Sequence, residues 1–214
     1  MPFKLHGEDF EKFLNRLRER IKQVLPEIAP EVRDFVVEHI KEGGIPSKPN
    51  APLTIQVKKS SKPLLDRGVL RASITYHVKG GKLIVGTNLI YAPIQHYGGV
   101  IKPKKAKTLT LPTTRKVRRL IETKGVRGFI KKLQEEGYKI IWRPKSVIAI
   151  PPKPKKGKRR KRKPKYGLAL KNGLGELVLI RKKEVKIPAR PYMLLTEEEL
   201  EYLKRRIREI LEAI

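Results

Sequence analysis

Apolar residues near the start of the chain recur at helical spacing. Phe10, Phe13, Leu14, Leu17, Ile21 and Leu25 stand three or four apart with charges between them, which predicts a helix over about 8–25. Pro26 and Pro30 bracket a predicted break. Val32, Phe35, Val36 and Ile40 then mark a second amphipathic helix, closed by Gly43-Gly44. The stretch "IPSKPNAPLTIQVKKSSKPLLDRG" reads as a linker with a short strand at 54–58.

The period then drops to two. Ile74, Tyr76 and Val78 alternate with Ser73, Thr75 and His77, and "KGGK" separates this run from "LIVGT", which predicts a hairpin with one apolar and one polar face. "LTLP" at 109–112, "YKIIW" and "VIAIP" read as strands. Short helices are expected around Val117, Leu120 and Ile121 and over about 126–136. "YGLALKNGLGELVLIRKK" reads as another hairpin, turning near Asn172-Gly173. In the final helix Thr196 and Glu199 form a capping box, and Leu200, Leu203, Ile207, Ile210, Leu211 and Ile214 form one apolar stripe. No internal repeat is visible. The expected fold is α+β: N-terminal amphipathic helices, a central antiparallel sheet of hairpins with a basic loop insertion, and a C-terminal helix. One domain is expected across 1–214, with a variable basic insertion at about 101–184.

Composition narrows the chemistry. With no cysteine among 214 residues, disulfides, Cys-based zinc sites and thiol catalysis are excluded. "MPFKLHGEDF" carries charges where a signal peptide needs an apolar core, and no apolar run approaches the roughly 20 residues of a membrane span. The expectation is an intracellular protein with no membrane partner. Abundant Lys, Arg, Glu and Ile with few Asp (Asp9, Asp34 and Asp66) fit a thermophilic source.

The formal net charge is +30, so polyanions of any kind attract this chain. The charge peaks at 153–165, "KPKKGKRRKRKPK", where ten of thirteen residues are Lys or Arg. Lys155, Lys156, Lys158, Arg159, Arg160, Lys161, Arg162, Lys163 and Lys165 are candidate contacts to DNA or to an acidic protein surface. Phosphate contact of this kind is salt-sensitive and indifferent to sequence. Charge blocks are also commonly solvated loops, and that reading stays open. No aromatic interleaves the run and only Tyr166 sits at its edge, so base stacking is not indicated.

Catalytic chemistry is poorly supplied. His6, His39, His77 and His96 have no metal-ligand spacing. Ser73 and Asp66 are available as partners for His96, but nothing orders them into a triad, and His96 reads as a structural residue at a strand-to-loop junction. No "GxxxxGK" phosphate loop is present. No catalytic, cofactor or metal residue is assigned, and the chain is expected not to be an enzyme.

Three blocks, taken in order, point elsewhere: "KPLLDRGVLRASITY" (62–76), "LIVGTNLIYAPIQHYGG" (83–99) and "VKIPARPYMLLTEEEL" (185–200). Together they resemble the phage virion morphogenesis, or tail completion, proteins of the Mu and P2 types. The matching positions include Asp66, Gly68, Leu70, Ser73, Gly86, Thr87, Tyr91, Gly98, Gly99, Pro188, Arg190 and Pro191. Arg67 stands where the family pattern has Thr, and "QHYGG" replaces "HQFGG", shifting His96 by one position.

The resemblance implies a non-enzymatic virion protein that completes the head-proximal end of a tail and enables head–tail joining. It implies no cofactor, a homo-oligomer forming a ring, often of six, and tail tube, tail terminator and head connector proteins as neighbours. Non-specific contact with packaged DNA is a further expected partnership, and the location is the virion neck or tail terminus after assembly in the host cytoplasm. A basic nucleic-acid-binding accessory protein acting through 153–165 is the alternative. Physically, Gly68 permits a turn, Asp66 is placed to cap following N–H groups, and Pro188 and Pro191 enforce an extended entry to the last helix. Arg190 between those prolines is expected to pair with an acid, Asp66 or a neighbouring subunit's Glu, rather than to be solvated.

Overall fold

A computed structural model describes residues 7–152, 163–171, 173 and 175–213. The fold is α+β, with a long helix first, a helix last and antiparallel strands between. The chain divides into two compact units. One comprises 1–48, 62–98 and 188–214; the other comprises 49–61 and 99–187.

In the first unit, α1 runs without interruption over Gly7–Glu42, through Pro26 and Pro30, so the predicted break is absent. Each proline removes one N–H from the ladder and crowds the carbonyl four residues back. Spaced by four, both lie on one face of the helix. The carbonyls left without helical donors belong to Lys22 and Pro26, both exposed residues. Val24, Ile28 and Ala29 beside them are buried. Packing of that apolar stripe outweighs the local penalty.

α3 (Val69–Ala72) leads into the hairpin of β1 (Thr75–Lys79) and β2 (Lys82–Gly86), after which comes α4 (Ala92–Tyr97). Lys79 pairs with Lys82, and Gly80 and Gly81 take φ of 58° and 70°. Both turn positions thus need the left-handed region that glycine reaches freely, as a type I′ turn requires. The hairpin packs on α1. Its predicted apolar face is only partly covered, because Tyr76 stays 42% exposed. α6 (Glu197–Ala213) lies against α1, burying Leu203 and Ile210 on Val24 and Ile28. Leu200 of its predicted stripe is exposed.

In the second unit, residues 52–58 form a helix, α2 (Pro52–Lys58), instead of the expected strand. Pro52 suits the first helical turn, and Leu53 and Val57 are one turn apart, a spacing that a period-two reading misses. β4 (Leu109–Pro112), β8 (Glu176–Lys182), β6 (Ser146–Ile150) and β5 (Lys139–Trp142) lie side by side and antiparallel in that order, and β7 (Leu168–Ala169) also pairs with β8. β3 (Gly99–Ile101) pairs with β9 (Val185–Ile187). Among the described residues the strands therefore divide among three antiparallel sheets rather than forming one. α5 (Arg115–Glu135) is two helical stretches meeting at Gly125, whose φ of 67° and ψ of 172° leave the helical region. The expected helices on either side of residue 125 are both there. Val117, Phe129 and Leu133 from α5 join Val147, Val178 and Leu179 in a dry core. The segment read as a variable insertion thus folds around its own sheet and core.

Candidate functional site

The three motif blocks converge within the first unit. Gly68 precedes α3, Leu70 is buried, and Asp66 sits exposed in the bend before them. Ser73 donates to the Leu70 carbonyl at 2.7 Å, and its oxygen lies 2.7 Å from that of Thr87. Thr87 in turn accepts the Leu89 N–H at 3.3 Å. The Ser73–Thr87 contact therefore ties the start of the hairpin to its end and fixes how the chain enters α4. A nucleophile would need a base in this place; Ser73 has a hydroxyl and a carbonyl instead. Gly86 ends β2.

The third block is the wedge that joins everything else. Tyr192 is fully buried, and its hydroxyl donates to the Ala92 carbonyl at 3.1 Å. It shares a core with Val36 and Ile40 of α1, Leu70, Ile74 and Ala92. His96 lies on α4 rather than at a strand-to-loop junction. Its Nδ1 accepts the backbone N–H groups of Tyr192 and Met193 at 3.1 and 3.3 Å. The ring is thereby the tautomer bearing hydrogen on Nε2. Burial pushes its pKa below 6.5. A neutral acceptor held by two amides is a structural histidine.

Arg190 is buried, not solvated. Its N–H donates to the carbonyls of Gln95 and His96, and Nε donates to the Lys48 carbonyl at 2.9 Å. Desolvation disfavours its charged form. Pro191 accepts the Ile45 N–H at 2.7 Å, and residues 188–192 form neither helix nor strand before a bend at 193–194 leads to α6. Gly44 lies tight against Arg190: at φ 90° an added Cβ would stand 2.9 Å from it. One turn back on α1, His39 Nε2 meets Glu199 Oε1 at 2.9 Å and Nδ1 meets the Tyr192 carbonyl at 3.2 Å. Glu199 Oε2 also accepts the Thr196 N–H at 2.7 Å, completing the predicted capping box. Sequence reading gave Tyr192, His39 and Lys48 no role and took Gly44 only as a helix end. Their bonds span distant parts of the chain, and only the position of Tyr192 beside Pro191 hinted at a role.

Around this rigid centre, apolar side chains stand in water. Ile90 is 98% exposed and Tyr97 77%, and Tyr91 is also exposed. Ile90 and Tyr91 precede α4 and Tyr97 ends it, all within the second motif block. Gly98, at φ 73°, closes that helix.

The basic run is only partly within the described residues. Lys155, Lys156, Lys158, Arg159, Arg160, Lys161 and Arg162 lie outside them. Lys163 is exposed. Lys165 is anchored: its ammonium contacts Glu136 at 2.7 Å, and Lys116 Nζ donates to its carbonyl. The Lys165 ammonium and the Tyr166 hydroxyl both donate to Glu136, which holds that carboxyl below its usual range. Buried Glu176 accepts the N–H groups of Lys165, Tyr166 and Gly167 at 2.7, 2.7 and 2.8 Å. The C-terminal end of the run is thus clamped to the sheet. Beside it, Lys59, Arg115, Lys116, Arg119, Lys132 and Lys165 line an open cleft of about 690 Å³ with Glu136 as its acid. The first turn of α5 carries bases and no acid, against the helix dipole. Sequence reading passed over these cations, although "TTRKVRR" shows a basic helix start.

Among the described residues no group of three or more His, Asp or Glu is placed to hold a metal. No described helix is long and apolar enough to cross a membrane. In comparisons with known proteins, the chain matches no family model, no curated sequence and no solved structure.

Proposed function

We propose that this chain is a structural virion assembly protein acting at the head-proximal end of a phage tail. The carrying observation is the convergence of the three family-like blocks on Tyr192, where Ser73–Thr87, His96, Arg190 and Pro191 knit them into one scaffold. Ser73 and His96, which a catalytic reading would recruit, both hydrogen-bond to backbone groups. The exposed Ile90, Tyr91 and Tyr97 on that scaffold are a contact surface suited to a heterologous, ring-closing neighbour. The basic cleft and the adjoining run supply a polyanion contact for the DNA path. Imaging of particles carrying a labelled copy tests this, with label at the neck or tail terminus expected.

The second reading, a nucleic-acid-binding accessory protein, draws on the same cleft. It predicts DNA binding that is lost on deleting 153–165 with no loss of infectious particles.

A further inference from the structure

The N-terminal half of α1 continues a seam that the protein already uses. Phe10, Leu14, Leu17, Ile21, Val24 and Ile28 are spaced 4, 3, 4, 3 and 4 apart, which is a heptad stripe. Its C-terminal members, Val24 and Ile28, pack on Leu203 and Ile210 of α6. Its N-terminal members do not: Phe10 is 50% exposed, Leu17 39% and Ile21 42%, with Phe13 beside the stripe at 55%. Water-facing rings and aliphatic chains in that continuous row are a partly built helix–helix interface.

The charges say which partner fits. Residues 8–22 hold four acids (Glu8, Asp9, Glu11, Glu19) and five bases (Lys12, Arg16, Arg18, Arg20, Lys22), a net of +1 in a chain of +30. Net charge on this segment therefore opposes self-association only weakly, although the chain as a whole is strongly basic. The stripe is also self-complementary when reversed. In an antiparallel pairing centred between residues 15 and 16, Phe10 meets the partner's Ile21 and Leu14 meets the partner's Leu17, each pair occurring twice. Glu11 and Arg18 each follow a core position, so Glu11 falls beside the partner's Arg18 and Arg18 beside the partner's Glu11. Phe13 falls beside the partner's Arg20, whose guanidinium can lie over the ring. A parallel pairing would set Arg18 beside the partner's Phe13 and bring no acid opposite a base along this stretch.

We propose that α1 docks against α1 of a second copy, antiparallel and twofold symmetric, through Phe10, Leu14, Leu17 and Ile21 with reciprocal Glu11–Arg18 pairs. This contact is independent of the tail-assembly reading and of any ring interface. It is isologous, whereas ring closure is heterologous.

Sedimentation velocity of the full-length protein across micromolar concentrations, at physiological salt, tests it. The mass is expected to double with rising concentration. Leu17→Asp with Ile21→Asp is expected to hold it at one chain while circular dichroism and melting temperature stay unchanged, since both side chains are exposed. Glu11→Arg alone and Arg18→Glu alone are each expected to weaken association about tenfold, and the two together to restore it. A chain that stays single at every concentration overturns the proposal. So does association untouched by the Leu17 and Ile21 changes, which would place the contact on another surface. A double charge swap as weak as either single swap overturns the antiparallel pairing.

Discussion

The imidazole of His96 stands edge-on to the ring of Tyr192, with centroids 5.1 Å apart and planes at 90°. The same histidine accepts the Tyr192 backbone N–H at 3.1 Å. One residue of the second motif block thus holds both the ring and the backbone of the third. The geometry works only while Nδ1 carries a lone pair, because protonation there would oppose two amide hydrogens.

That requirement makes stability depend on pH. In the unfolded chain the His96 ring titrates near 6.5, and in the folded protein burial sets its pKa lower. Between those values the unfolded chain binds more protons, so this contribution is complete above about 6.5 and is lost as pH falls through the window. Melting temperature measured from pH 7 downward is expected to drop, and His96→Asn, whose Oδ1 is still an acceptor, is expected to flatten the drop. A profile identical in the two proteins contradicts this.

Tyr192 contributes both apolar burial and one hydrogen bond. Tyr192→Ala empties a site with no exposed surface and is expected to cost about 3–5 kcal/mol. Tyr192→Phe loses the donor to the Ala92 carbonyl and is expected to cost about 1–2 kcal/mol. Denaturant titration of both variants checks the order, and a Phe variant as damaged as the Ala variant contradicts it.

Much of this fold was legible because its signals are local. The hairpin at "KGGK", the capping box at Thr196 and the two stretches of α5 follow from neighbours within a few positions. The failures are where distant contacts decide. Pro26 and Pro30 read as a break, yet α6 covers the stripe beside them and keeps α1 intact. Residues 54–58 are short enough for β-branched Ile55 and Val57 to suggest a strand, while a proline start makes a helix. His39 and Glu199 meet across 160 positions, a pairing that no local pattern encodes. The three blocks were visible in the sequence, but not that they converge on Tyr192.

Glu176 tests the separate core of the second unit. It satisfies three consecutive backbone donors, and those of Tyr166 and Gly167 are buried and would otherwise lack partners. Glu176→Ala is expected to cost more than about 2 kcal/mol in that unit. Hydrogen exchange is expected to speed up in β6, β8 and the C-terminal half of α5, while α1 and α6 keep their protection. Equal loss in α1 contradicts the assignment.

The basic cleft predicts a salt signature. Affinity for duplex DNA is expected to fall linearly with salt on logarithmic axes, with a slope set by the phosphates neutralised. Arg115→Gln with Arg119→Gln is expected to make that slope shallower by about 2. Neutralising Lys158, Arg159, Arg160, Lys161, Arg162 and Lys163 is expected to weaken binding further if the run faces DNA. If those changes leave DNA binding intact but impair joining of heads to tails, the run meets an acidic protein surface instead.

The central claim concerns where this protein works. Electron microscopy of intact particles carrying a labelled copy addresses it most directly. Label confined to the neck or the head-proximal tail end, with tails lacking the protein failing to join heads, is the predicted result. Label absent from those positions, in particles that remain infectious without the protein, would contradict the account.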